Sequence, residues 1–387
     1  MHNPLSFSTK FAWLFCMMSL TSQAEPLTQE QIGQLLFFDP TFSNNRGQSC
    51  SSCHDPASAF VDTRKTSANG QVSLGDDGHS FGNRNAPTIS YAAAIPEFHY
   101  DPLLKEYVGG LFWDGRARTL ADQAAGPPLN PLEMGMSDKR AIVLRLKENS
   151  SYHSLLPPKY QQNLHLEISD SDIEQIYSNM TEAIATFERS AFFSSYDSKY
   201  DKFLRGEYEL TPLEDLGRSL FFSEKNVNCS TCHSLYPEDD SRETFTNHQY
   251  RNIGVPSNRN LIAHNRLAKE YVDQGLLDNP EVKDKRYAGK FRNPTLRNVA
   301  ITAPYMHNGV FKDLRTVIEF YDHYNNPERQ INPETGQAWQ PPEYAQTVDL
   351  NELKAQPLTE RKIEALIAFL HLLTDERYEH LLSEKTP

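Results

Sequence analysis

The chain has 387 residues, enough for two domains with separate cores. Its 38 Lys and Arg stand against 51 Asp and Glu, a formal charge of −13, which gives nucleic acid or an anionic membrane no electrostatic purchase.

In chain order, Lys10, the apolar run Phe11 to Leu20 and the small-residue site Ser22-Gln23-Ala24 read as an export signal over residues 1–24. The run is short for a bilayer span, and no later segment is apolar enough to be one. Cys16 lies inside it without a lipoprotein context, since Trp13-Leu14-Phe15 precedes it. Thr28 opens a helix with a capping-box pattern that runs to Phe38. Residues 43–112, rich in Gly, Asn, Ser and Pro, read as loop. Ser137 to Asn149 and Ser169 to Arg189 have helical periodicity, the second with Ile173, Ile176, Ile184 and Phe187 on one side. A polar-aromatic stretch from about 190 to 210 marks a domain boundary. Thr211-Pro212 is a cap with proline at the first helical position. Residues 234–295 are mostly loop, Thr316 to Tyr324 a short helix, 325–357 an extended wrap, and Thr359 to Leu373 a closing apolar helix.

Two stretches carry the chemistry. Cys50-Ser-Ser-Cys53-His54 and Cys229-Ser-Thr-Cys232-His233 both have the C-x-x-C-H spacing by which two thiols join the vinyl groups of one c-type haem, with the adjacent His as proximal iron ligand. They use four of the five cysteines, and the fifth is Cys16. The plain alternative is a zinc site built from two C-x-x-C hooks, but zinc gives no reason for a histidine directly after each. Gly33-Gln-Leu-Leu-Phe-Phe precedes the first motif and Gly217-Arg-Ser-Leu-Phe-Phe the second, a weak internal repeat that suggests two related units. The expected fold is therefore mainly α, with two cytochrome-c-like haem domains over 25–195 and 196–387, long loops and few strands. Covalent haem also fits export to the periplasm.

Between and after these motifs lie Arg84-Asn-Ala-Pro-Thr, Phe112-Trp-Asp-Gly-Arg, Asn293-Pro-Thr-Leu-Arg-Asn and Pro304-Tyr-Met-His-Asn-Gly. With this order, from about residue 30 to 373, the chain resembles the bacterial di-haem cytochrome c peroxidases and their MauG-type relatives. The resemblance implies that the N-terminal haem reacts with hydrogen peroxide, giving high-valent iron, while the C-terminal haem stores or relays electrons. It implies that Trp113 lies between the haems, where an indole can couple them; taken alone, Trp113 would read as a core residue. Glu133, twenty residues on, matches the distal carboxylate that moves a proton between the peroxide oxygens. Gln123 and Pro127 match its neighbours in that pocket. Without the family, Glu133 would read as a surface glutamate.

The sixth ligand of the second haem separates the branches. Standard peroxidases place methionine fourteen residues after the histidine that is here His307; this chain has Tyr321 there, as MauG-type proteins do. A tyrosinate favours more oxidised iron than a thioether does. Met306 and Tyr324 are the competing ligands. The resemblance also implies one calcium ion, held by the Asn85 side chain and the carbonyls of Thr302 and Pro304, an oxygen set suited to a hard cation. His79 stands near the position of a loop histidine that blocks the first iron in standard peroxidases, but two residues out of place, and is expected to be exposed. The segment from Tyr91 to Gly110 is longer than in standard peroxidases, a lengthening that MauG-type chains share.

The expected function is that of a periplasmic, peroxide-reacting di-haem oxidoreductase. It would oxidise either a cytochrome c or cupredoxin donor or a side chain of a partner protein. The alternative is a non-catalytic di-haem electron carrier, which would leave Glu133 and Gln123 without work.

Overall fold

The computed structural model describes residues 26–382 apart from 69, 225, 236–242, 266 and 269. The export signal expected over 1–24, with Lys10 and Cys16, lies outside the described residues. Eleven α-helices are present among them: α1 Gln29–Phe38, α2 Cys50–Cys53, α3 Leu120–Ala124, α4 Lys139–Leu146, α5 Pro158–Gln162, α6 Asp170–Glu188, α7 Lys199–Leu204, α8 Pro212–Phe221, α9 Arg259–His264, α10 Leu314–Asp322 and α11 Glu360–His371. Three two-stranded antiparallel ribbons accompany them: β1 His99–Asp101 with β2 Glu106–Val108, β3 Tyr250–Arg251 with β4 Phe291–Arg292, and β5 Ile331–Asn332 with β6 Gln337–Ala338. The fold is mainly helical with few, short strands, as the sequence predicts.

Local side-chain chemistry sets the helix ends. Thr28 and Gln31 form the expected capping box of α1, and Thr211 and Glu214 form that of α8. Helix α4 begins two residues later than expected because Asp138 accepts from the Ala141 N–H. Helix α10 starts and stops two residues early: Asp313 caps its start, and Tyr324 falls past its end.

The repeat around Gly33 and Gly217 has a packing cause. Helix α1 crosses α6 so closely that a Cβ on Gly33 would lie 1.9 Å from the Ala183 carbonyl oxygen. Helix α8 crosses α11 in the same way, with Gly217 1.9 Å from the Ala365 carbonyl oxygen. Glycine is required at both crossings because the obstacle is backbone, which cannot rotate aside. Four residues on, Phe37 and Phe221 are buried on the same helices.

One apolar cluster gathers α1, α4 and α6 around Ile176, Met180 and Ile184; another gathers α8, α10 and α11 around Phe221, Leu366 and Phe369. Contacts tie the two halves together. Arg84 binds Asp273 through two hydrogen bonds of 2.6 and 2.7 Å, the Asn85 N–H donates to the His307 carbonyl at 2.7 Å, and the Tyr91 hydroxyl donates to Asp375. Among the described residues no helix is long and apolar enough to cross a membrane.

Candidate active site: two cavities meeting at one tryptophan

Each C-x-x-C-H motif lines its own cavity. The first, of about 370 Å³, contains Cys50, Cys53 and His54; the second, of about 240 Å³, contains Cys229, Cys232 and His233. A single helical turn, α2, separates the first cysteine pair, and a 3₁₀ turn over Cys229–Thr231 does the same in the second motif. The histidines are oriented alike. His54 Nδ1 lies 3.1 Å from the Phe60 carbonyl oxygen, and His233 Nδ1 lies 3.2 Å from that of Phe245. Both phenylalanines have left-handed backbones, with φ of 59° and 55°, which turns their carbonyls back toward the rings. A carbonyl only accepts, so Nδ1 carries the proton and Nε2 keeps the lone pair that an iron needs. Burial lowers the pKa of both rings, that of His233 to about 4, and so keeps them neutral.

Burial pushes Cys50 and Cys229 up to about 12, and Cys53 and Cys232 to about 11. The two pairs line separate cavities, and among the described residues no three His, Cys, Asp or Glu converge as a metal site. The zinc alternative therefore fails on geometry, while two haems fit. Arg292 strengthens that fit. It is buried, lines both cavities, and meets no carboxylate partner among the described residues. Burial lowers its pKa, and an acidic group on a haem would supply the missing counter-charge.

The first cavity also contains Glu133, Gln123 and Pro127, as expected from the family pattern. Gln123 is carried by α3, a short helix that the sequence reading left out although Thr119 and Asp122 form its capping box. Burial raises the pKa of Glu133, and the opposing pull of Arg116 and an Asn130 hydrogen bond does not restore it. A buried carboxyl whose pKa is raised suits the exchange of a proton. His79 is exposed and is not among the residues lining this cavity.

Tyr321, on α10, lines the second cavity together with His233 and Met306. Burial raises its pKa, as do the nearby thiols Cys232 and Cys229, so the phenol is neutral until a cation draws its proton away. Tyr324 donates to the Ile253 carbonyl at 3.1 Å and is not among the residues that line this cavity. Met306 remains beside the cavity.

Trp113 lines both cavities. Its indole N–H donates to the Asn85 carbonyl at 2.9 Å, and its own carbonyl accepts from the Arg292 N–H at 2.9 Å. It also lines a smaller space of about 90 Å³ together with Asn85, Thr302 and Pro304, the three residues expected at calcium.

Sequence reasoning missed three groups here. Arg292 sits one residue before the Asn293-Pro-Thr motif, and its neighbourhood was the only available signal. Arg84 opens the Arg-Asn-Ala-Pro-Thr motif; it bonds Asp114 at 2.5 Å as well as Asp273, joining the tryptophan loop to the second half. Glu188 ends α6 as a buried carboxyl in the first cavity, with Oε2 lacking a partner among the described residues and its pKa pushed by burial to about 8.

Residues 28–209 match the family model described as di-haem cytochrome c peroxidase. The chain is 46% identical over 357 residues, 91% of its length and 90% of the relative's, to the methylamine utilization protein MauG of Paracoccus denitrificans. It is 32% identical over 279 residues to the cytochrome c peroxidase Ccp of Escherichia coli, spanning 72% of this chain and 49% of that one. The crystal structure of the diheme peroxidase BthA from Burkholderia thailandensis superposes with a TM-score of 0.78 at 31% identity, covering 91% of this chain and 87% of that one.

Proposed function

Since this chain belongs to the di-haem cytochrome c peroxidase and MauG family, and is a peroxide-using oxidoreductase of it, we propose a division of labour between the two cavities. The first is where hydrogen peroxide is reduced; the second stores and relays the oxidation. The observation that supports this is an asymmetry among the described residues: Glu133 and Gln123 line the first cavity and not the second, while Tyr321 lines the second and not the first. Haem bound at each C-x-x-C-H motif supplies the redox-active iron.

The chain's own groups do the rest. Cys50 and Cys53, and Cys229 and Cys232, anchor the two haems covalently, while His54 and His233 each present a neutral Nε2. Glu133 takes a proton from one peroxide oxygen and returns it to the other, a role typically worth about 10²–10⁴ in rate. The Gln123 amide orients the peroxide, Pro127 packs beside it, and the Trp113 indole couples the cavities. Tyr321 would hold the iron of the second site through its phenolate oxygen, and that anionic donor would favour the more oxidised state. The Asn85 side chain and the Thr302 and Pro304 carbonyls would hold a calcium ion, which would brace the loops around Trp113. The two haem units occupy 25–195 and 196–387, following an export signal at 1–24 that delivers the protein to the periplasm. There the electrons come from a small cytochrome or cupredoxin, or from a side chain of a partner protein, and Tyr321 favours the second.

The test is Glu133→Gln. The variant keeps both haems and their resting spectrum but reacts with peroxide about 10²-fold or more slowly; an unchanged rate refutes the assignment.

A further inference from the structure

We propose that Tyr100, Tyr107, Phe98 and Tyr250 form an aromatic route from the Trp113 loop to the surface, which makes the tip of the β1–β2 hairpin a second oxidation site for small phenols. The inference rests on the peroxide reading above and names a reductant class for it.

The rings are in continuous contact. Tyr100 lies 5.2 Å from Tyr107, centroid to centroid; Tyr107 stacks on Phe98 at 5.2 Å and 3°, and Phe98 meets Tyr250 edge-on at 6.2 Å. Tyr250 then reaches the tryptophan loop. Its hydroxyl donates to the Gly109 carbonyl at 2.6 Å, and its ladder partner Arg292 donates to the Trp113 carbonyl. The loop is moulded to these rings: a Cβ on Gly115, at φ +67°, would lie 2.1 Å from the Tyr250 hydroxyl oxygen and 2.7 Å from Phe98.

Proton chemistry decides where the oxidation comes to rest. A phenol is oxidised readily only if its proton can leave with the electron. The Tyr250 proton is held by a carbonyl, which is no base, and burial raises the pKa of that phenol. Tyr250 therefore passes oxidation on without keeping it. Tyr100 is 46% exposed and can release its proton to water. Beside it at the hairpin tip, Leu103 and Leu104 are 91% and 52% exposed, an apolar shelf for an aromatic ring.

The balance is simple. Tyr100 loses one electron inward, cancelling one of the two oxidising equivalents that peroxide delivers, and loses its phenolic proton to water. A phenol then returns one electron and one proton to Tyr100 and leaves as a phenoxyl radical. Two such cycles consume one peroxide and yield two waters and a coupled bisphenol.

The holoprotein treated with peroxide and no reductant should acquire oxidation or dityrosine at Tyr100, read by peptide mapping and dityrosine fluorescence. Added p-cresol should protect Tyr100 and be coupled instead. Tyr107→Leu and Phe98→Leu, which each take a ring out of the route, should lose the Tyr100 mark, and Tyr107→Leu leaves the Gly109 hydrogen bond undisturbed. Tyr100→Phe should abolish cresol coupling while peroxide is still consumed. The proposal is overturned if peroxide is consumed while the oxidation maps to Trp339, beside α10, and Tyr100 stays unmarked. Equal marking of Tyr100 in both route variants overturns it too, because the oxidant then arrives from solution. If no peroxide is consumed, the underlying reading fails with it.

Discussion

Gly217→Ala tests whether the repeated glycine is a packing requirement of the second haem unit, because two effects predict opposite signs. Helix propensity alone favours the change, since alanine in a helix interior is better than glycine by about 1 kcal/mol. The crossing opposes it. The added methyl would stand 1.9 Å from the Ala365 carbonyl oxygen and 2.8 Å from Phe369 Cβ. Ordinary contact begins at 3.4 Å, so α8 and α11 must part by about 1.5 Å, and overpacking of this kind costs about 1–3 kcal/mol. The obstacle is main chain in the middle of α11, so the upper part of that range applies and the net change is destabilising by about 1–2 kcal/mol. Phe221, Leu366 and Leu370, on these two helices, line the second cavity, so its haem spectrum should change while the first is unaffected. Denaturant unfolding of the holoprotein, followed by absorption, gives both readouts. A Gly217→Ala protein as stable as the parent or more so would show that propensity decides and that the crossing tolerates a methyl group.

Two further outcomes follow from buried charge. Glu188 has its folded pKa raised by burial from 4.5 to about 8, so between those values the folded state keeps a proton that the unfolded state has released. Its contribution to stability is full below the unfolded pKa and falls as pH rises toward about 8, by at most about 1.4 kcal/mol per pH unit. Glu188→Gln should flatten that dependence in denaturant midpoints taken across the window, and an unchanged slope would contradict the assignment. Arg297 is fully buried and holds Asp201 through two bonds of 2.8 Å. Burial alone would raise the Asp201 carboxyl; the guanidinium and the Ser198 hydroxyl more than offset it and hold its pKa below the usual range. Arg297→Met should cost about 3–5 kcal/mol by leaving a buried carboxylate unpaired, and adding Asp201→Asn should recover part of the loss; a single variant within about 1 kcal/mol of the parent would refute this.

Much of this was legible before the structure, for local reasons. Caps are local patterns, so the starts of α1 and α8 could be read directly from the Thr28 capping box and from Thr211-Pro212. The C-x-x-C-H motifs are contiguous, so both haem sites could be named. What escaped depends on distant residues. No local pattern says that Arg292 will lie against two cavities, that Glu188 will end α6 beside Cys50, or that Arg84 will reach Asp273 across the chain. The β1–β2 hairpin was hidden because its strands are three residues each, inside a stretch whose composition reads as loop. The end of α10 was misjudged by two residues, yet Tyr321 stays inside it and Tyr324 does not, and that difference separates the cavity-lining tyrosine from its neighbour.

The most direct measurement is the absorption spectrum of the oxidised holoprotein before and after one equivalent of hydrogen peroxide, in the parent and in Tyr321→Phe. The account predicts that the parent responds at both haems and that the oxidised product persists. It predicts that Tyr321→Phe retains both haems, differs from the parent before any peroxide is added, and holds the oxidation for a shorter time. A Tyr321→Phe protein with the parent's resting spectrum and the parent's lifetime would contradict it, and Met306 would then be the ligand to examine in an ordinary peroxidase.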